Sequence, residues 1–186
     1  MRRTLRLLPW VGVAALSVLF VGSLWLQRED ALVRCAAVAV LNGDQPARAD
    51  TAARIALSGH ADEVWLTNDP RSGTARSTDA GTASNARRLV GHGIAPAAIR
   101  VLDGAADGSR AELRIIRDHA QRHSVPCTIV VTSPAHAARV RTLWGRIPAP
   151  KPAIVIRHAR DPGYTGPAVR ARELVLLAAT FVGWGR

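Results

Sequence analysis

The segment TIVVTSPAHAAR, running from Thr128 to Arg139, passes in one step from strand chemistry to helix chemistry. Its first five residues are a β-branched apolar run, of the length and kind expected for a strand buried on both faces of a parallel sheet. Ser133 and Pro134 then have the character of a helix start, with serine at the N-cap and proline at the first helical position. A buried strand that runs directly into a helix is half of a β-α-β unit, and parallel strands need such crossovers. This reading decides the fold class.

The same alternation recurs on both sides. Residues 36–41 (AAVAVL) are a second continuous apolar run, followed by a helix over 47–58 that stops at Gly59. Residues 63–67 (EVWLT) read as the next strand, and the polar stretch 68–78, with Pro70 and Gly73, reads as a loop. A helix over 79–92, closed by Gly93, leads to a strand at 99–102. Residues 109–123 read as a helix opened by a capping box, Ser109-x-x-Glu112. After the TIVVT strand and its helix, a proline-rich connector at 148–152 leads to a fifth strand at 153–157 and a last helix within 166–184. With right-handed crossovers this predicts an α/β fold, a doubly wound and mostly parallel five-stranded sheet of order 3-2-1-4-5 flanked by helices. Ligands of such sheets bind beyond the carboxyl ends of the strands, where the strand order reverses. That point lies between the first and fourth strands, bordered by residues 42–48 and 133–139.

Upstream, residues 7–26 are apolar without a charge, preceded by Arg2, Arg3 and Arg6 and followed by Arg28, Glu29 and Asp30. About twenty apolar residues are enough to cross roughly 30 Å of hydrocarbon. The positive-inside bias puts the N-terminus in the cytoplasm and the remainder across the membrane. Residues 22–27 (GSLWLQ) put bulky side chains where cleavage of a signal peptide requires small ones. The expectation is a retained anchor over 1–27 forming one N-terminal transmembrane helix, a juxtamembrane linker over 28–34, and a folded domain over 35–186.

The chain carries a net charge of +11. Five arginines and two acids in residues 1–34 leave +8 for the domain, nearly all of it arginine, since Lys151 is the single lysine. A basic domain outside the cytoplasm seldom meets nucleic acid, so the partners expected are membrane-proximal anions and phosphate-bearing ligands. Cys35 and Cys127 are too few for a four-thiolate zinc site, and no metal is expected. Cys35 just precedes the first strand and Cys127 opens the fourth. If those strands are neighbours, both cysteines sit at the amino-terminal edge of the sheet, at a spacing near ~4.8 Å that a disulfide accepts. An oxidising compartment can join them, and two buried free cysteines acting as small hydrophobes are the alternative.

The first turn of a helix has unpaired N–H groups and a dipole that favours anions. At the helix after TIVVT, Ser133 adds a hydroxyl, while His136 and Arg139, three residues apart, share one face. Arg48 approaches from the neighbouring loop, and the turn Asn42-Gly43-Asp44 forms a wall. Together these residues read as a phosphate or pyrophosphate site with His136 as acid or base. Ordinary roles compete: Ser133 as a simple N-cap, Ser109 and Glu112 as the capping box, and Glu173 as a partner of Arg170 or Arg172. His119 and His123 have i, i+4 spacing but lack a third ligand, and read as an exposed helix face. No G-x-S-x-G elbow or Walker loop is present, and no cofactor is indicated.

Several of these stretches carry a resemblance. The run VAVLNGD, then RADTAARIAL, EVWLTND, GIAP and IVVTSPAHAAR resembles the YdcF-like family of bacterial envelope proteins, over roughly residues 36–145. The TSPAHAAR segment is similar to the family's T-S-x-x-H-x-x-R signature and supplies Ser133, His136 and Arg139. Arg48 fits the family's arginine after the first strand. Ser109 and Glu112 lie where members have a Thr/Glu/Asn cluster, and Glu173 falls at a further family position. The resemblance implies a Rossmann-like domain, a single-pass location in the bacterial plasma membrane and a role in cell-envelope biogenesis. The ligand class expected is a phosphate-bearing precursor such as a lipid-linked sugar carrier. The chain departs from the family at Asn42-Gly43-Asp44 and Thr67-Asn68-Asp69, where members have glycine-rich turns, and it lacks an acidic residue near 82–85. A non-catalytic envelope interaction module with a vestigial cleft is the alternative expectation.

Overall fold

Val38 pairs with Val64 on one side and with Ile129 on the other, so the first strand lies in the middle of the sheet. The computed structural model describes residues 28–42, 46–68, 81–159 and 166–181, together with Ser17 and Val21 as isolated helical positions. In chain order the elements are β1 (Ala37–Val40), α1 (Pro46–Leu57), β2 (Glu63–Asn68), α2 (Thr82–Gly91), β3 (Ile99–Ala105), α3 (Ser109–Arg122), β4 (Cys127–Thr132), α4 (Pro134–Gly145), β5 (Ala153–His158) and α5 (Pro167–Phe181). The five strands are parallel and their order is 3-2-1-4-5, as the sequence predicts.

Side chains alternate between the faces of a strand, and here both faces are apolar. Val38, Val40, Leu66 and Val131 pack with Ala49, Ala52 and Ala53 of α1 and Leu89 of α2. Ala39, Leu41, Trp65 and Val130 pack on the opposite face with Leu113 and Ile116 of α3 and Ala137, Val140 and Leu143 of α4. α1 and α2 thus cover one face and α3 and α4 the other. The crossovers change sides between β3 and β4, which opens the switch point where β1 and β4 end side by side.

β3 extends to Ala105, three residues past the predicted end. Leu102 is its one fully buried residue, because an edge strand has little apolar pattern to mark its length. Gly104, at φ 106°, accompanies an irregular register against β2.

Within residues 28–34, the expected juxtamembrane linker, Glu29 and Asp30 hydrogen-bond to the edge of β5. The backbone N–H of Asp30 donates to the Ile156 carbonyl at 3.1 Å, and the Ile156 N–H donates back to Asp30 Oδ2 at 2.8 Å. The His158 N–H donates to Glu29 Oε1 at 2.8 Å. These bonds satisfy the otherwise open edge of β5, a place where natural sheets need protection. Just downstream, Cys35 and Cys127 form a disulfide with Cα atoms 5.1 Å apart at the amino-terminal edge of the sheet. The expected anchor over 1–27 lies outside the described residues save for Ser17 and Val21, and among the described residues no helix is long and apolar enough to cross a membrane.

Candidate site at the β1/β4 switch point

Arg48 lies in the first turn of α1 and is buried. Its Nη1 donates to the carbonyls of Leu41 and Asn42, at 2.9 and 2.6 Å, which are the last backbone acceptors leaving β1. Its Nη2 donates to Ser133 Oγ at 2.9 Å. Ser133 occupies the N-cap position of α4, with Pro134 after it, but its hydroxyl makes no capping bond. The serine oxygen instead accepts a hydrogen bond from the arginine, and this couples the exit of β1 to the exit of β4.

His136 is held in the first turn of α4 and is 6% exposed. Its Nδ1 lies 2.9 Å from Thr132 Oγ1 and its Nε2 lies 3.1 Å from Ser109 Oγ. Burial, followed by the charges of Arg139, Arg48 and Arg172, holds its pKa well below the ordinary histidine value. The imidazole is therefore neutral at physiological pH and not a resident cation.

Ser109 and Glu112 correct the capping-box expectation. The N-cap of α3 is Gly108, whose carbonyl accepts the Glu112 N–H at 3.0 Å, so Ser109 is already the first helical residue. Displaced one position from the cap, both side chains turn to the switch point. Ser109 Oγ meets His136 and accepts from Arg139 Nη1 at 3.5 Å. Buried Glu112 accepts through Oε1 from the Asn42 backbone N–H and, at 3.1 Å, from the Thr67 hydroxyl. Asn42 Nδ2 in turn donates to the Thr67 carbonyl at 2.9 Å, while its Oδ1 is buried without a hydrogen-bond partner among the described residues. Gly43 and Asp44 lie outside the described residues.

Arg139 joins the network from the other side. Its Nε and Nη2 meet Glu173 Oε2 and Oε1 at 3.0 and 3.3 Å. Glu173 thus pairs across to α4, and not with Arg170 or Arg172 on its own helix as the simplest reading of the sequence has it.

Arg48, Ser133, His136 and Arg139 therefore lie together, with Asn42, Ser109, Glu112 and Glu173 as their immediate partners. Thr132 and Thr67 belong to the same network and were missed. Thr132 carried a usable signal, since it ends the strand four residues before His136. Thr67 had none, because a threonine at a strand end is unremarkable. Among the described residues, no group of three or more His, Cys, Asp or Glu side chains is placed to hold a metal ion.

His119, expected on an exposed face, is buried instead. Its ring stacks edge-on against Trp65 with centroids 4.7 Å apart, because that face of α3 lies on the sheet. With His123, Trp65, Glu63 and Arg100 it lines a cavity of about 230 Å³. Glu63 there already receives Arg100 and the Trp65 indole N–H. No protein-family model matches this chain, and no characterised protein matches it significantly.

Proposed function

We propose that this chain is a membrane-anchored envelope protein whose Rossmann-like domain binds a phosphate-bearing precursor, such as a lipid-linked sugar carrier, at the β1/β4 switch point. The observation that carries the reading is the Arg48–Ser133 contact beside His136 at the start of α4, where a helix terminus and a guanidinium meet. The resemblance of TSPAHAAR to the YdcF-like signature, the domain's net positive charge and the apolar run at 7–26 support the same view. On this reading the N-terminus is cytoplasmic, residues 1–27 cross the bacterial plasma membrane, and the domain stands outside it.

A second reading, a non-catalytic envelope interaction module, draws support from the cations themselves. Arg139 is engaged by Glu173, and Arg48 by two carbonyls. Melting of the detergent-solubilised full chain with phosphate, pyrophosphate and polyprenyl phosphate separates the two. A ligand selective for the folded state raises the melting temperature by mass action. A concentration-dependent rise with pyrophosphate or polyprenyl phosphate supports the binding site. No shift with any of the three anions leaves the interaction module.

A further inference from the structure

We infer that Ser109 is a nucleophile activated by His136, and that the site transfers a phosphoryl group from a phosphate ester or diphosphate through a phosphoserine. The inference rests on the anion-binding reading above and adds chemistry to it. A serine is a weak nucleophile unless a base lies within hydrogen-bond reach, with that base oriented by a third group. Ser109 Oγ is 3.1 Å from His136 Nε2, and His136 Nδ1 is 2.9 Å from Thr132 Oγ1. With the Nδ1 proton donated to Thr132, Nε2 presents its lone pair to the serine. Thr132 is then a positioning residue that fixes the tautomer. Arg139 Nη1, on the same Oγ at 3.5 Å, favours developing negative charge there. Ser133, the other serine of the network, is fully buried and held by Arg48. Ser109 is only partly buried.

The step balances without a redox partner. As the Ser109 Oγ–P bond forms, the P–O bond to the leaving group breaks. The hydroxyl proton passes to His136 Nε2 and from there to the leaving oxygen. Water then attacks the phosphoserine while His136 accepts its proton. The Oγ–P bond breaks, the proton returns to Oγ, and inorganic phosphate leaves. A phosphoryl centre fits better than an acyl centre because the Arg139 guanidinium lies on Ser109 Oγ and that of Arg48 on Ser133 Oγ, and such a transition state spreads negative charge over several oxygens.

The test is to treat the full chain with a neutral fluorophosphonate and map the adduct by mass spectrometry. A neutral probe reports the nucleophile without needing the anion site. The expected result is one phosphonyl adduct on Ser109, absent in Ser109→Ala and slowed at least ~100-fold in His136→Asn. Thr132→Val should slow labelling and Thr132→Ser restore it, which a purely structural threonine would not do. Pyrophosphate should protect Ser109. Folded wild-type chain that carries no adduct, or carries it on another residue, overturns the nucleophile, and this needs no variant to fold. Undiminished labelling in a folded His136→Asn chain overturns the base. Labelling that pyrophosphate does not slow overturns the phosphoryl assignment. Anion-induced stabilisation without labelling would leave the binding reading standing while this inference falls.

Discussion

Arg139 and Glu173 face each other across α4 and α5 in a two-pronged ion pair, Nε to Oε2 at 3.0 Å and Nη2 to Oε1 at 3.3 Å. Their side chains are 17% and 9% exposed, so the pair is shielded from most solvent screening. Arg139 is therefore a cation held in position by a carboxylate that competes with any bound anion.

That competition has a measurable consequence. Glu173→Gln should tighten pyrophosphate binding by severalfold while lowering stability, since a shielded charge loses its partner. A double-mutant cycle with Arg139→Met should give a coupling of about 2 kcal/mol. Weaker pyrophosphate binding by Glu173→Gln would mean that the carboxylate positions Arg139 more than it competes.

Arg48 carries structure as well as charge. Arg48→Met leaves the Leu41 and Asn42 carbonyls and Ser133 Oγ without its donors in a buried place. The expected loss is about 3 kcal/mol, read from the urea midpoint, because buried polar groups deprived of partners cost about 1–3 kcal/mol each and local repacking recovers part of it. A loss below about 1 kcal/mol would show that the contacts are incidental.

The sheet was legible because its signals are local. AAVAVL and TIVVT are short, apolar on both faces and followed by helix starts, and right-handed crossovers leave few ways to order such strands. The site was legible only in part, since signature residues on one segment, such as Ser133, His136 and Arg139, are fixed by helix geometry. Their partners come from elsewhere. Whether Ser109 caps α3 or enters it turns on one residue, and Gly108 takes the cap. Whether Glu173 meets Arg170 or Arg139 depends on α5 packing against α4, which no sequence spacing encodes. The docking of Glu29 and Asp30 on β5 was hidden for the same reason: polar residues after an apolar run look like a linker until a strand edge needs acceptors.

Acid should weaken the fold before carboxylates matter. Unfolded histidine takes a proton near pH 6.5, whereas burial and the surrounding arginines make folded His136 take it at lower pH. Between those points the unfolded state binds more protons, so stability falls as pH falls, by up to about 1.4 kcal/mol per unit for each such group. Buried His119 and half-buried His158 are shifted the same way, burial being the first cause for each. Urea unfolding from pH 7.5 to 5 should show this decline, and His136→Asn should make it shallower while leaving the part due to His119 and His158. Equal slopes in the two chains would show that His136 does not titrate between the states.

The disulfide closes a loop of 92 residues. In the chain-entropy model a loop of that size contributes about 4–5 kcal/mol by restricting the unfolded chain. Cys35→Ser with Cys127→Ser, or reduction by dithiothreitol, should lower the melting temperature by many degrees without moving the strand register. Two thiols freely alkylated in the unreduced, exported chain would contradict the bond.

The most direct measurement is a pyrophosphate titration of the uniformly ¹⁵N-labelled full chain in micelles, followed amide by amide. Saturable shifts should concentrate on Ala135, His136 and Ala137 at the start of α4, Ser109 to Glu112 at the start of α3, and Arg48. Saturable shifts centred on His119 and His123 at the opposite edge of the sheet, or no saturable shifts at all, would contradict an anion site at the β1/β4 switch point.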